Sequence, residues 1–144
     1  MTDCGDETPA AAGREMMAGI WTVVSGRPLT SVLICDDRPP TRQAMTEMLE
    51  SLPGLSDIFC VTEGFELVDA FTVRPVDLVL IGIHRASTAG ADATALLLGM
   101  HPTAVVTVFG SVTDTDILAA AYVRGARGLL LWDSDDPHSG GLIP

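Results

Sequence analysis

From residue 31 to residue 132, short apolar runs alternate with stretches of helical periodicity, a pattern that confines the chain to βα units built around a parallel sheet. Five runs qualify as strands: "SVLIC" from Ser31, "DIFCV" from Asp57, "DLVLIGI" from Asp77, "TAVVTVF" from Thr103 and "GLLLW" from Gly128. Between them, Ala44, Met45, Met48, Leu49 and Leu52 share one helical face before Pro53-Gly54 stops the helix. A second helix is expected to turn Val68 and Phe71 inward, a third lies around "ADATALLLGM", and a fourth runs through "DTDILAAAYVRG", capped by Asp114 and ended by Gly125. The first, third and fourth strands are apolar almost throughout, as befits strands covered on both faces. The expected class is therefore α/β, a doubly wound five-stranded parallel sheet.

Both ends depart from the repeat. The terminal "DSDDPHSGGLIP" is too rich in Gly, Pro, Ser and Asp for a helix, so the helix that should cover the last strand is expected to be missing or replaced, with residues 134–144 a flexible tail or linker. At the other end, Met16, Met17, Ile20, Trp21 and Val24 recur at helical spacing. Residues 1–28 are read as an extension whose helix docks where the missing one would lie; the alternative is a disordered leader or a β-rich segment, since Thr22, Val23 and Val24 are β-branched. Residues 29–133 form the domain proper.

Eight basic against nineteen acidic residues give a net charge of -11, which argues against direct nucleic-acid binding by this chain. No apolar run reaches the eighteen or so residues of a membrane span, and the N-terminus lacks the basic start of a signal peptide, so the cytoplasm is the expected compartment. Cys4, Cys35 and Cys60, odd in number and widely spaced, are expected to be reduced thiols.

In an open parallel sheet, sites form beyond the C-terminal ends of the strands. There the sequence places Asp36 and Asp37 after the first strand, Gly82 at the end of the third, Gly110 and Ser111 after the fourth, and Trp132 after the fifth. Adjacent carboxylates suit Mg²⁺, a hard cation that takes oxygen ligands; the plainer reading has Asp37 capping the next segment and Asp36 solvated.

From Ser31 to Trp132 the chain resembles the bacterial response-regulator receiver domain, which has a flavodoxin-like fold. The resemblance rests on the acidic pair after strand one, on "TEGFELVDAF", on "RPVDLVLIGIH", on Gly90 in the following loop and on "AAAYVRGARGLLLW". It implies a phosphorylation switch, in which a third-strand Asp accepts a phosphoryl group with help from Mg²⁺ on the acidic pair, and a Ser/Thr and a Lys bind the phosphoryl oxygens. Here the acceptor position is Gly82, the Ser/Thr position is Gly110 with Ser111 beside it, and the Lys position is Trp132. Residual metal binding at Asp36 and Asp37 is expected to be weak or absent, with no other cofactor. His84 is read as a polar loop residue and Arg85 as an internal counter-ion for Asp36 and Asp37; with Ser111 they would line any remaining pocket.

The resulting expectation is a receiver-like regulatory module, not an enzyme, that works without phosphorylation through protein–protein association. Its partner would be a second copy or a related regulator in bacterial signal transduction, and it would form the N-terminal half of a transcription regulator. The association surface is expected at Met16, Met17, Ile20, Trp21, Leu129 and Leu131. The alternative is a small-molecule sensor, with Gly82 and Gly110 opening space beside Trp132. A Mg²⁺-dependent phosphohydrolase fits worse, because those enzymes carry a catalytic Lys and this chain contains none.

Overall fold

The computed structural model describes residues 29–85, 87–132 and 142–143. Five parallel strands, β1 (Ser31–Cys35), β2 (Asp57–Val61), β3 (Leu78–Gly82), β4 (Val106–Ser111) and β5 (Gly128–Trp132), are followed by a short β6 (Leu142–Ile143). The sheet order is β2-β1-β3-β4-β5-β6, and β6 runs antiparallel to β5, with Leu131 opposite Ile143 and Trp132 opposite Leu142. The order reverses between β1 and β3, which opens a crevice at the C-terminal ends of those two strands.

Helix α1 (Pro39–Glu50) begins at two prolines, whose fixed φ suits a first helical turn and whose missing N–H groups would be unpaired there in any case. Helix α2 (Gly64–Val73) is set by a reciprocal capping box between Glu63 and Glu66. Hydrogen bonds from Thr62, side chain first and then backbone, hold the Glu66 carboxyl below its usual value. Its buried face carries Leu67 and Phe71, with the expected Val68 only half-buried beside them. Helix α3 spans Ala89–Met100; α4 (Thr115–Val123) follows a 3₁₀ turn at Val112–Asp114. Asp114 precedes α4 as expected but does not cap it, because its carboxylate is taken by Arg85.

Strand alternation sorts the core into two clusters. One face directs Leu33, Val79, Ile81, Val106 and Val108 against Leu67, Phe71, Leu97 and Leu118 of α2, α3 and α4. The other directs Val32, Ile34, Leu78, Leu80, Phe109 and Leu130 toward Met45, Met48, Leu49 and Leu52 of α1 and its last turn. Fully burying each such side chain contributes about 1.5–3 kcal/mol.

The outer edge of β5 is paired by Leu142–Ile143, which lie within the span expected to be a flexible tail or linker; residues 134–141 and 144 lie outside the described residues. Two expectations are corrected. Leu129 and Leu131 are partly buried and pack into the α4-side cluster, which removes them from an exposed association surface. Cys60, half-buried on edge strand β2, is disulfide-bonded, whereas Cys35 is free and buried. Burial, with the Asp36 charge beside it, pushes the Cys35 thiol up to about 12. The extension with Met16, Met17, Ile20 and Trp21 lies outside the described residues.

Candidate functional site

The crevice between β1 and β3 brings together Asp36, Asp37, Gly82 and His84 with Cys35, Thr62, Ser87, Ala89 and Gly90. It encloses about 10 Å³, room for about one water molecule. The space that a third-strand side chain would occupy is filled by Asp36: a Cβ added to Gly82 would collide with Asp36 Oδ2 and lie 3.1 Å from Phe109 Cζ. The glycine is therefore a close approach and not a vacancy.

Asp36 is fixed from several sides. Its side chain is fully buried; Oδ1 accepts the Arg38 backbone N–H at 2.8 Å, and His84 Nε2 lies 2.8 Å from Oδ2. An ionised carboxylate only accepts, so His84 donates here. Arg42, reaching back from α1, donates from Nη1 to the Asp36 carbonyl at 2.7 Å. His84 is itself set by a turn in which its carbonyl accepts the Ser87 N–H at 3.1 Å, and Ser87 Oγ accepts the Ala89 N–H at the start of α3.

This placement revises the roles expected for the loop after β3. His84 is no exposed loop residue, since only 11% of its side chain remains accessible. Arg85 is no counter-ion for Asp36 and Asp37. Its guanidinium donates to Asp114, to Asp116 and to the Thr113 carbonyl, 55% exposed on the rim. Those bonds, Asp116 first, raise its pKa above the ordinary value, and the Arg85 bond holds Asp116 below its own.

At the β4 end, Gly110 likewise opens no cavity. A Cβ there would lie 2.7 Å from the Ile83 carbonyl and 3.1 Å from Leu118 Cδ1, so the glycine lets the chain leaving β3 cross closely. Ser111 is buried; its hydroxyl accepts the Thr113 N–H at 3.2 Å and starts the 3₁₀ turn. Trp132 pairs through its backbone with β4 and β6, while its side chain lies outside what the structure describes. The roomier pocket expected at Gly82, Gly110 and Trp132 is thus contradicted at both glycines.

The acidic pair implies Mg²⁺, and the residues present do not fit it. Ligand atoms of Asp36, Asp37 and His84 lie within 4.8 Å of one another. Yet the third carboxylate is absent at Gly82, both Asp36 oxygens are engaged, and the third donor is an imidazole nitrogen, whereas Mg²⁺ demands oxygen ligands in near-octahedral array.

A wider groove of about 440 Å³ adjoins the crevice, lined by Asp37, Glu63, Phe65, Asp92, Ala93 and Leu96, among others. Phe65 is 61% and Leu96 45% exposed. Nothing in the residue pattern marks this groove, because it joins the outward sides of two helices whose inward sides carry the periodicity. No helix among the described residues is long and apolar enough to cross a membrane.

Comparison with known proteins bears on the fold and the family. The chain is 27% identical over 124 residues to the transcriptional regulatory protein LnrK of Bacillus subtilis, covering 80% of this chain and 56% of that protein. It is 29% identical over 89 residues to a protein-glutamate methylesterase/protein-glutamine glutaminase of Nitrosospira multiformis, covering 62% of this chain and 25% of that one. It thus spans only about half or a quarter of these relatives. Among solved structures, the N-terminal signal receiver domain of a two-component system response regulator from Bacteroides fragilis superposes with a TM-score of 0.65 at 17% identity, covering 78% of this chain and 90% of that one. The response regulator domain of Thermotoga maritima CheB gives 0.64 at 21%, covering 76% and 82%. The family model of the response regulator receiver domain matches residues 32–137, and the chain belongs to that family.

Proposed function

We propose that this receiver domain regulates through protein–protein contact and without phosphoryl transfer at the usual position. One observation carries the reading: the place of the acceptor side chain is occupied by the Asp36 carboxylate, held there by His84. Phosphoryl transfer relies on a positioned nucleophile and a cation that neutralises developing charge. Gly82 offers no nucleophile, and Asp36, the buried carboxylate of the acidic pair, is tied to His84. The output would be read by a protein partner, a second copy or a related regulator. The naming of one relative as a transcriptional regulatory protein supports a place in transcription control. The absence of a basic surplus supports leaving any DNA contact to other parts of such a regulator. The cytoplasm is the compartment where it would meet these partners.

Incubation with acetyl phosphate and Mg²⁺ followed by intact-mass measurement tests this reading. No phosphoryl adduct is expected, and a stoichiometric adduct would overturn it. The small-molecule alternative keeps support only at the α2–α3 groove, whose volume falls in the range of ligand sites and which offers apolar Phe65 and Leu96 beside Asp37 and Asp92. Thermal-shift screening of metabolites against Phe65→Ser separates the two, since a stabilising ligand lost with Phe65 would favour the sensor.

A further inference from the structure

Helices α2 and α3 approach so closely that a Cβ added to Gly64 would sit 3.1 Å from Ala93 Cα and 3.6 Å from Leu96 Cδ2. Small residues, Gly64, Ala89 and Ala93, therefore line the groove between them, with the exposed side chains of Phe65 and Leu96 as its apolar walls. We infer that this groove of about 440 Å³ docks a short amphipathic helix of a partner protein, one that carries apolar anchors flanked by Arg or Lys. The inference rests on the reading that this domain works by protein contact, and names the kind of partner.

Charge selects the occupant. Asp37, Glu63 and Asp92 are exposed around the groove, and none of the described residues lining it is basic. Glu63 accepts the Glu66 N–H, and Asp92 accepts the Thr88 hydroxyl at 3.0 Å, which leaves each carboxylate further acceptor sites for a guanidinium or ammonium group. The Ala89 N–H that opens α3 already goes to Ser87 Oγ, so the carboxylates set the sign of the groove. A net charge of -11 attracts a cationic partner at longer range and repels a second copy of the chain.

Shape selects an elongated one. On α3, Asp92, Leu96 and Met100 recur at every fourth position and so share one outward side, and Met100 is 63% exposed a turn beyond the groove. That stripe runs about 12 Å at about 1.5 Å per residue, the length of roughly two turns of a docked helix. A compact ligand filling the groove leaves Met100 bare, whereas a helix with apolar residues three or four positions apart covers Phe65, Leu96 and Met100 together.

Selection from a random dodecapeptide display library on the full chain, followed by fluorescence anisotropy of the recovered peptides, tests the inference. Recovered peptides are expected to carry net positive charge and two apolar residues three or four positions apart. Their affinity should fall at least about tenfold with Phe65→Ser and about threefold with Asp92→Asn. It should hold with Asp57→Asn, an equal change of charge at the N-terminal end of β2. If Phe65→Ser does not fold, Leu96→Ser carries the same comparison. Recovery of no peptide, recovery of neutral or acidic peptides alone, or binding that Phe65→Ser leaves intact overturns the inference. So does a dimer in sedimentation that Phe65→Ser dissociates, which makes a second copy the occupant, and so does thermal stabilisation by a metabolite that is lost with Phe65→Ser, which makes it a small molecule. The acetyl phosphate outcome is separate: an adduct there overturns regulation without phosphoryl transfer whatever the groove binds.

Discussion

His84 and Arg85 are consecutive residues in one loop, both basic, and they meet opposite fates. His84 turns inward to a carboxylate without solvent exposure, whereas Arg85 turns outward to two carboxylates on the rim. Charge alone would favour Arg85 as the partner of the acidic pair; backbone direction decides otherwise. The difference matters energetically, because a buried carboxylate that loses its donor keeps its desolvation penalty, whereas water replaces a lost partner on the rim at little cost.

The largest effect is expected from His84→Ala. It should lower stability by about 3–5 kcal/mol, measured from urea unfolding midpoints, because it strands Asp36. The loss should shrink in an Asp36→Asn background; additive losses would show that the pair is not coupled. Next in size is Gly82→Ala, expected to cost about 1–3 kcal/mol by forcing Asp36 Oδ2 aside. That cost should largely vanish with Asp36→Ala, which empties the contested space. Smallest is Arg85→Ala, with a melting-temperature change of about 1 °C or less at moderate salt. What the Arg85–Asp116 pair does contribute is present above the ordinary carboxylate pKa and lost as pH falls through the lowered value of Asp116. Melting temperatures of wild type and variant should therefore converge in acid.

Much of the fold was legible because it depends on periodicity. The runs at Ser31, Asp57 and Gly128 became strands with the expected bounds, and the prolines after Asp37 and the glycine at position 125 mark helix ends for local reasons. The positions of Asp36, Gly82 and Gly110 at strand ends were likewise local, and resemblance to receiver domains gave each a role. What the two glycines do was not legible. Small residues at 82 and 110 suggest open space when read along the chain, and only the approach of Asp36 and of the Ile83 carbonyl shows the space to be taken. Leu129 and Leu131 misled for a similar reason: their edge looked free until β6 returned to pair with it, and their side chains faced α4.

Periodicity along the chain is enough to establish a parallel α/β domain, and the resemblance to receiver domains marks glycine 82 as the place where an acceptor carboxylate is lacking. What stands in the acceptor's place is settled by the packing of distant segments. Asp36 and His84 are 48 positions apart, and their pairing depends on β1 and β3 being neighbours, on the burial of the carboxylate and on the turn after Gly82. None of these is a local property of sequence, since each arises only when distant segments share one water-excluded crevice.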